Sequence, residues 1–398
     1  MKVRLSRLDA KEETDLKITD VKTFFVDPGT SKNWLFVKVE TDEGISGWGE
    51  AYNYRDRAMN TAAHANSIKR YLIGRSPFNI KHFTQVMFDD YAARRGSMGF
   101  FCVISGIEQA LWDIVGKTLN TPVYNLLGGA CREKIRVYAN GWFSNASTPE
   151  ESAEKAVETI KGGFTALKFD PFPGPWRSYI SKQDEKAAVE VVKAVREAVG
   201  PDIDLLIEVH RRLSPMNAVR VARMLEEFEP FWYEEPVPAD NIEALAEVRR
   251  NINIPVVTGE TLYTKSAYCE VFEKRAADII NPDVCNCGGI LELKEIAAMA
   301  QPYYVAVSPH NFNSTTIGLA ATINVSACIP NFLITEYFVN FKSRGDEIAV
   351  TPFKVENGYI KIPDKPGLGL ELDEKAMARY PYREFAKRKI RQYYEEDC

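Results

Sequence analysis

From about residue 130 onward the chain repeats one pattern: a short apolar run ending in polar residues, an amphipathic stretch of helical period, then another apolar run. The apolar runs predict eight strands, at 135–143 (IRVYANGWF), 166–172 (ALKFDPF), 204–210 (DLLIEVH), 231–237 (FWYEEPV), 255–260 (PVVTGE), 278–284 (DIINPDV), 304–310 (YVAVSPH) and 332–338 (FLITEYF). Helices are predicted between them at 148–163, 183–199, 215–229, 241–252, 264–275, 289–300 and 316–328. In the first of these, Thr148 with Glu151 three residues on resembles a capping box, and Gly162-Gly163 closes the helix. Apolar strands alternating with helices require a parallel sheet covered on both faces, and eight of them point to closure into a barrel. An open doubly wound sheet is the alternative, but it calls for a Gly-rich phosphate turn after the first strand, which the sequence lacks.

The chain before residue 128 follows another pattern. Alternating runs at KITDVKTFFVD and NWLFVKVETDEGISGWGEA, the latter with a DEG turn at 42–44, predict an antiparallel meander, with helical segments to about residue 127. From about residue 346, FKVENGYIKI and IPDKPGLGLEL predict short strands and a return to that meander.

Composition narrows the function classes. At roughly 150 residues per domain, 398 residues make two or three domains, or one large barrel with an appendage. The chain is 45% hydrophobic and 26% charged, enough for a sizeable core and unlike a disordered chain. Fifty basic residues against 55 acidic ones, interspersed, give a net charge of -5 and no electrostatic footprint for nucleic acid. No apolar run approaches a membrane span and the N-terminus is charged, so a cytoplasmic protein with a small soluble substrate is expected. Seven cysteines without CxxC spacing suggest reduced thiols rather than disulfides or a zinc site.

In a βα barrel the reactive groups lie at the C-terminal ends of the strands. The last polar residues of successive runs are Lys168 and Asp170, Glu208 and His210, Glu234, Glu260, Asp283, His310 and Glu336. Each glutamate alone is no more than a strand-end charge. Glu208, Glu234 and Glu260 on three consecutive strands converge, and three carboxylates in low dielectric become tolerable around a hard divalent cation. Oxygen-only ligation favours Mg²⁺. A lone histidine after an apolar strand is commonly structural, yet two of only four histidines, His210 and His310, border this site, whereas His64 and His82 fall in the N-terminal helical region. Asp283 ends the strand before that of His310 and is placed to fix its tautomer.

The segments WYEEPV, VVTGETLYT, NPDVCNCGGI, SPHNF and TEY resemble the successive active-site strands of the enolase superfamily, mandelate racemase subgroup. GWGE (47–50), SGIEQALWDIVGKTLNTPVYNLLGG (105–129) and IPDKPGLGL (362–370) extend the resemblance over essentially the whole chain. It implies a (β/α)7β TIM-like barrel (129–345) under an α+β capping domain built from residues 1–128 and 346–398. It also implies Glu208, Glu234 and Glu260 as ligands of one Mg²⁺ per subunit, an Asp283–His310 dyad as general base, and Glu336 as a hydrogen-bonding partner of the substrate carboxylate. A homo-oligomer is expected. Two positions depart from the subgroup: Glu208 stands where Asp is common, and Lys168-Phe169-Asp170 replaces Lys-x-Lys, removing the second base a racemase needs. With His210 on the third strand, the pattern resembles the acid-sugar dehydratases acting on galactonate and gluconate.

The mechanism this implies begins with Mg²⁺, Lys168 and Glu336 holding the substrate carboxylate and stabilising the ene-diolate as His310 takes the C2 proton, the strategy general to the superfamily. Protonated His210 then donates to the departing 3-hydroxyl, giving a 2-keto-3-deoxy acid. Asp170, Tyr52, Arg55, Trp34 and Trp142 are candidate substrate contacts, with cap loops near 27–34 and 52–57 closing over the sugar chain. The long βα loop 171–181 is a candidate lid or subunit contact. The alternatives are an epimerase, racemase or cycloisomerase, with Asp170 or Lys168 as second base, and a non-catalytic barrel that binds a sugar acid.

Overall fold

The computed structural model describes residues 16–172, 178–388, 390 and 392. The two alternating N-terminal runs form a three-stranded antiparallel sheet of β1 (Ile18–Val26), β2 (Trp34–Thr41) and β3 (Ser46–Ala51). Helices α1 (Ala58–Leu72), α2 (Ile80–Val86), α3 (Met98–Thr118) and α4 (Val123–Leu126) follow. By length and composition α3 is apolar enough to cross a membrane, but 83% of its apolar window is buried, packed against the meander. Its approach to β3 depends on Gly49, where a Cβ would collide with the carbonyl oxygen of Gly106.

The barrel strands are β4 (Lys134–Asn140), β5 (Ala166–Phe169), β6 (Asp204–Glu208), β7 (Trp232–Glu234), β8 (Val256–Thr258), β9 (Ile279–Ile280), β10 (Ala306–Val307) and β11 (Thr335–Phe338). They pair in parallel in chain order, β11 returns to β4, and a bridge between Val307 and Phe332 closes the circle. Helices α5 (Pro149–Lys161), α6 (Lys182–Val199), α7 (Pro215–Leu225), α8 (Ile242–Arg250), α9 (Thr264–Glu273), α10 (Ile290–Ala300) and α11 (Ile317–Cys328) alternate with them, and the Thr148 hydroxyl caps α5 by accepting from the Glu151 amide at 3.2 Å. The strands are shorter than their apolar runs. Pro282 and Pro309 supply no ladder N–H, so β9 and β10 stop before Asp283 and His310, which sit on ordered backbone just beyond.

A buried cluster that includes Tyr138, Ala166, Leu206, Trp232 and Ile334 fills the barrel. Two residues after each come Asn140, Lys168, Glu208, Glu234 and Glu336. The period of two in a strand therefore turns these five polar side chains to the same inner side, one layer above the apolar plug.

After β11 come α12 (Lys342–Ile348) and β12 (Tyr359–Lys361), which pairs antiparallel with the start of β4. Further on, Leu368 N donates to Asp113 of α3 at 2.8 Å, and Asp27 N donates to the Tyr380 carbonyl at 3.0 Å. The chain end thus touches the barrel base and the cap in turn.

Buried carboxylates join cap to barrel. Glu50 of β3 accepts from Ser314 N and Gly318 N at 2.8 Å each, at the N-terminus of α11. Glu108 of α3 accepts from Ile290 N and Leu291 N at 2.8 and 3.0 Å, at the N-terminus of α10, and from the Trp112 indole at 2.8 Å. Each satisfies amides that a helix start leaves without partners. Gly289 is required here, since a Cβ on it would strike the Glu108 carboxylate. Glu108→Ala strands one buried and two half-buried donors and is expected to lower the unfolding free energy by about 2 kcal/mol or more in urea titration, against under about 0.5 kcal/mol for the exposed Glu154→Ala.

The six described cysteines, 102, 131, 269, 285, 287 and 328, are free thiols. Residues 173–177 of the loop proposed as a lid or subunit contact lie outside the described residues.

Candidate active site

The site is assembled from strand ends. Glu208 closes β6, Glu234 closes β7 and Glu260 lies two residues past β8; one carboxylate oxygen from each falls within 4.8 Å of the others. Glu234 Oε1 accepts from Lys168 Nζ at 2.9 Å and from Asn281 Nδ2 at 2.8 Å, while its Oε2 and the Oε2 of Glu208 are buried without a hydrogen-bond donor. Burial pushes Glu208 up to about 7 and Glu234 well above the usual carboxylate range. Burial also opposes charge on Glu260, but Arg211 and His310 outweigh it and hold that carboxyl below its usual value. Two donorless oxygens facing a third carboxylate form the ligand set a hard divalent cation satisfies, so the residues present fit Mg²⁺.

Lys168, 2% exposed, lies 2.9 Å from Glu234, 3.0 Å from Glu336 and 3.6 Å from Glu208. Burial alone lowers a lysine, but Glu234 and Glu336 reverse that and raise it well above normal. Glu336 accepts from Asn140 Nδ2 at 2.6 Å and from Asn311 N at 2.8 Å. Burial raises its pKa, yet Lys168 and His310 prevail and hold it at about 2, so Glu336 is an anion before any substrate arrives.

Two His–Asp pairs flank the carboxylates. His310 Nδ1 lies 2.7 Å from Asp283 Oδ2, and its Nε2 lies 3.1 Å from Glu260 and 3.5 Å from Glu336. Asp283 is itself fixed by Asn313 Nδ2, 2.9 Å from both oxygens, and by Cys285 N at 2.8 Å. Burial lowers the His310 imidazole, but the Glu336 and Glu260 charges exceed that effect and raise it to about 9. On the other side, His210 Nδ1 lies 2.6 Å from Asp170 Oδ2, and Arg212 also donates to Asp170. His210 and Arg211 hold positive φ of 54° and 61°, a conformation costly for residues with side chains and one that folds the chain sharply after Glu208.

The remaining candidates divide. The Tyr52 ring is 6.3 Å from the His310 ring, so it stands beside the site. Asp170 is engaged by His210 and Arg212. Arg55 lies 4.7 Å from the Phe385 ring, in contact with the C-terminal segment. Trp34, 1% exposed, packs against Phe36 and Phe341, and the Trp142 indole donates to the Lys168 carbonyl at 2.9 Å and packs on Phe169; both are core residues in this structure. The sequence reading missed the asparagines (140, 281, 311 and 313) that hold the carboxylates, and Arg211, which pairs with Glu260. Their only signal is position at a strand end, where asparagine resembles a turn residue and arginine a surface charge.

Residues 22–128 match the family model of the mandelate racemase/muconate lactonizing enzyme N-terminal domain, and residues 151–376 match that of the enolase C-terminal domain-like family. The D-gluconate/D-galactonate dehydratase of Picrophilus torridus is 36% identical over 352 residues, 88% of this chain and 89% of that protein. The D-xylonate dehydratase of Haloferax volcanii is 34% identical over 367 residues, 90% and 87% of the two chains. Among solved structures, a member of the enolase superfamily from Salmonella Typhimurium superposes with a TM-score of 0.87 at 32% identity, covering 92% of this chain and 98% of that one.

Proposed function

The chain belongs to the mandelate racemase/muconate lactonizing enzyme family of the enolase superfamily, and from that premise we propose that it is an acid sugar dehydratase, a carbon–oxygen lyase. Its substrate is an aldonate such as D-gluconate or D-galactonate, and its product the 2-keto-3-deoxy acid. The observation that carries this reading is the pair of His–Asp dyads on either side of one carboxylate triad: an elimination needs a base at C2 and an acid at the 3-hydroxyl, and the fold supplies two oriented imidazoles. The printed names of the relatives support the same reaction class.

Glu208, Glu234 and Glu260 are the proposed holders of one Mg²⁺. When bound, it supplies Lewis-acid stabilisation of the negative charge that builds on the substrate carboxylate. Lys168 stands as the neighbouring cation for that carboxylate, and Glu336 is its proposed hydrogen-bonding partner. With the Glu260 charge offset by a bound cation, one of the two charges that raise His310 is withdrawn and its Nε2 is free to act as base; His310, oriented by Asp283, then removes the C2 proton. The electron pair released is held first in the ene-diolate of the substrate carboxylate and then forms the C2–C3 double bond as the C3–O bond breaks. His210, oriented by Asp170, gives its proton to the departing hydroxyl, so water leaves and an enol remains to tautomerise to the ketone. Tyr52 and Arg55 are proposed to contact the sugar chain, and Trp34 and Trp142 to support the walls behind it.

This arrangement disfavours the racemase alternative, because Lys168 is bound among three carboxylates and Asp170 is committed to His210 and Arg212, so neither is an unengaged second base. A screen of sugar acids with Mg²⁺, with 2-keto acids trapped by semicarbazide, tests the function. Production of a keto acid from at least one aldonate is expected, abolished by EDTA; solvent deuterium entering unreacted, C2-inverted substrate with no keto product overturns it. His210→Asn is expected to separate the two half-reactions: dehydration falls by about 10² to 10⁴, the usual worth of a general acid, while C2 hydrogen exchange followed by NMR persists.

A further inference from the structure

Resting on that functional reading, we propose that residues 380–388 near the C-terminus belong to the substrate site: they strap the two cap loops over the barrel mouth and so set substrate affinity. Loop 27–34 is fastened to this segment at four points. Asp27 N donates to the Tyr380 carbonyl at 3.0 Å; Arg383 N donates to Asn33 Oδ1 at 2.9 Å; Asn33 Nδ2 donates to the Arg383 carbonyl at 2.8 Å; and Arg383 Nη2 donates to the Thr30 carbonyl at 2.6 Å. Asn33 is fully buried by this exchange. Loop 52–57 is held by the same segment. The Phe385 ring is contacted by two guanidinium groups, that of Arg55 at 4.7 Å and that of Arg383 at 4.4 Å, and the Arg388 guanidinium lies 4.4 Å from the Tyr54 ring. The loops are tied to each other where Asn53 Nδ2 donates to the Asn33 carbonyl at 2.8 Å.

The inner side of the loops rests on the site. The Lys32 ammonium donates to the carbonyl of Phe312, two residues past His310, and sits 4.3 Å from the Tyr52 ring and 4.2 Å from the Phe312 ring. Tyr52 in turn neighbours His310. The loops are therefore clamped between the turn that carries the proposed base and a chain end more than 300 residues away in sequence. Apart from Tyr380, which meets Glu347 and Arg344 of α12, the described contacts of the strap are with loops and cap rather than with the strand-end carboxylates, so loosening it at Arg383 and Phe385 frees the roof and leaves the reacting groups in place. Interactions with substrate that are uniform from ground state to transition state appear in KM and spare kcat.

The test is the full-length Arg383→Ala/Phe385→Ala double variant. Hydrogen exchange in peptides covering 27–34 and 52–57 is expected to quicken by about fivefold or more, with peptides over 204–210 and 232–236 unchanged, as for a local opening. On the best aldonate, KM is expected to rise about tenfold with kcat within about twofold. Phe385→Tyr, which keeps an aromatic ring against the two guanidinium groups, is expected to retain wild-type KM. Unchanged exchange in the two loops overturns the strap, and faster exchange with unchanged KM overturns its part in the substrate site. If the double variant also loses protection in the barrel, Arg383→Ala alone is judged by the same criteria. A wild-type chain that turns over no aldonate overturns the functional reading instead, and the exchange comparison still decides the strap.

Discussion

His310→Asn is expected to lower kcat on the best sugar acid by about 10³, and to abolish hydrogen exchange at C2 along with dehydration, measured by keto-acid trapping and by NMR in deuterium oxide. The substitution keeps the size and planarity of the side chain but removes the base. The acidity at stake is severe: the C2 proton lies beside a carboxylate, so its removal adds charge to a group already anionic. Asp283, gripped by Asn313 and the Cys285 amide, holds the imidazole by Nδ1 and turns Nε2 toward Glu260 and Glu336, so the ring has one orientation. The contrast with His210→Asn makes the test specific. A general structural defect would lower both measurements in both variants, whereas the proposed division of labour removes exchange only when His310 is lost. Retention of more than about a tenth of the wild-type turnover overturns the assignment, because a general base is worth at least about 10².

Glu234→Gln is expected to eliminate turnover and the thermal stabilisation by Mg²⁺, while leaving the metal-free protein as stable as wild type or more so. Glu234 is fully buried, and burial together with repulsion from Glu208 disfavours its charge more than Lys168 favours it. A neutral isostere relieves that cost, and the amide oxygen still accepts from Asn281. What it loses is one of the three proposed anionic ligands. At a metal concentration about 100 times Kd, binding stabilises the wild type by about 2.7 kcal/mol, a rise of several degrees in Tm that scanning calorimetry resolves. If Mg²⁺ stabilised the Gln variant as strongly as wild type, the cation would not be held by this triad.

The parts of this molecule legible in its sequence are those governed by local periodicity. The eight apolar runs became eight parallel strands because each is followed by a helix that covers it, and the polar residue two positions beyond each buried one is carried to the mouth by the geometry of an extended chain. Lys168, Glu208, Glu234 and Glu336 were found in this way. Asp283 and His310 were read from the same strand-end pattern, although proline ends their ladders before either residue is reached. The partners of these groups were not legible. Asp170 appears in sequence as a replacement for a lysine, and only the fold reveals that it meets His210, 40 residues on. Arg211 looks like surface charge until the backbone turns through positive φ and delivers it to Glu260. Trp34 and Trp142 look in sequence like aromatics near the mouth of the site, yet packing claims both for the core. Such contacts join elements far apart in the chain, and no periodicity encodes them.

The buried carboxylates Glu50 and Glu108 bear on modularity. They serve as bolts from the cap to the starts of α11 and α10, the helices that follow the His310 and Asp283 turns. Grafting a foreign cap onto this barrel to change substrate choice would withdraw both bolts and slacken the backbone behind the proposed base, even with every strand-end residue retained. A chimera that respects this seam would exchange loops 27–34 and 52–57 alone and leave β3 and α3 with their native barrel.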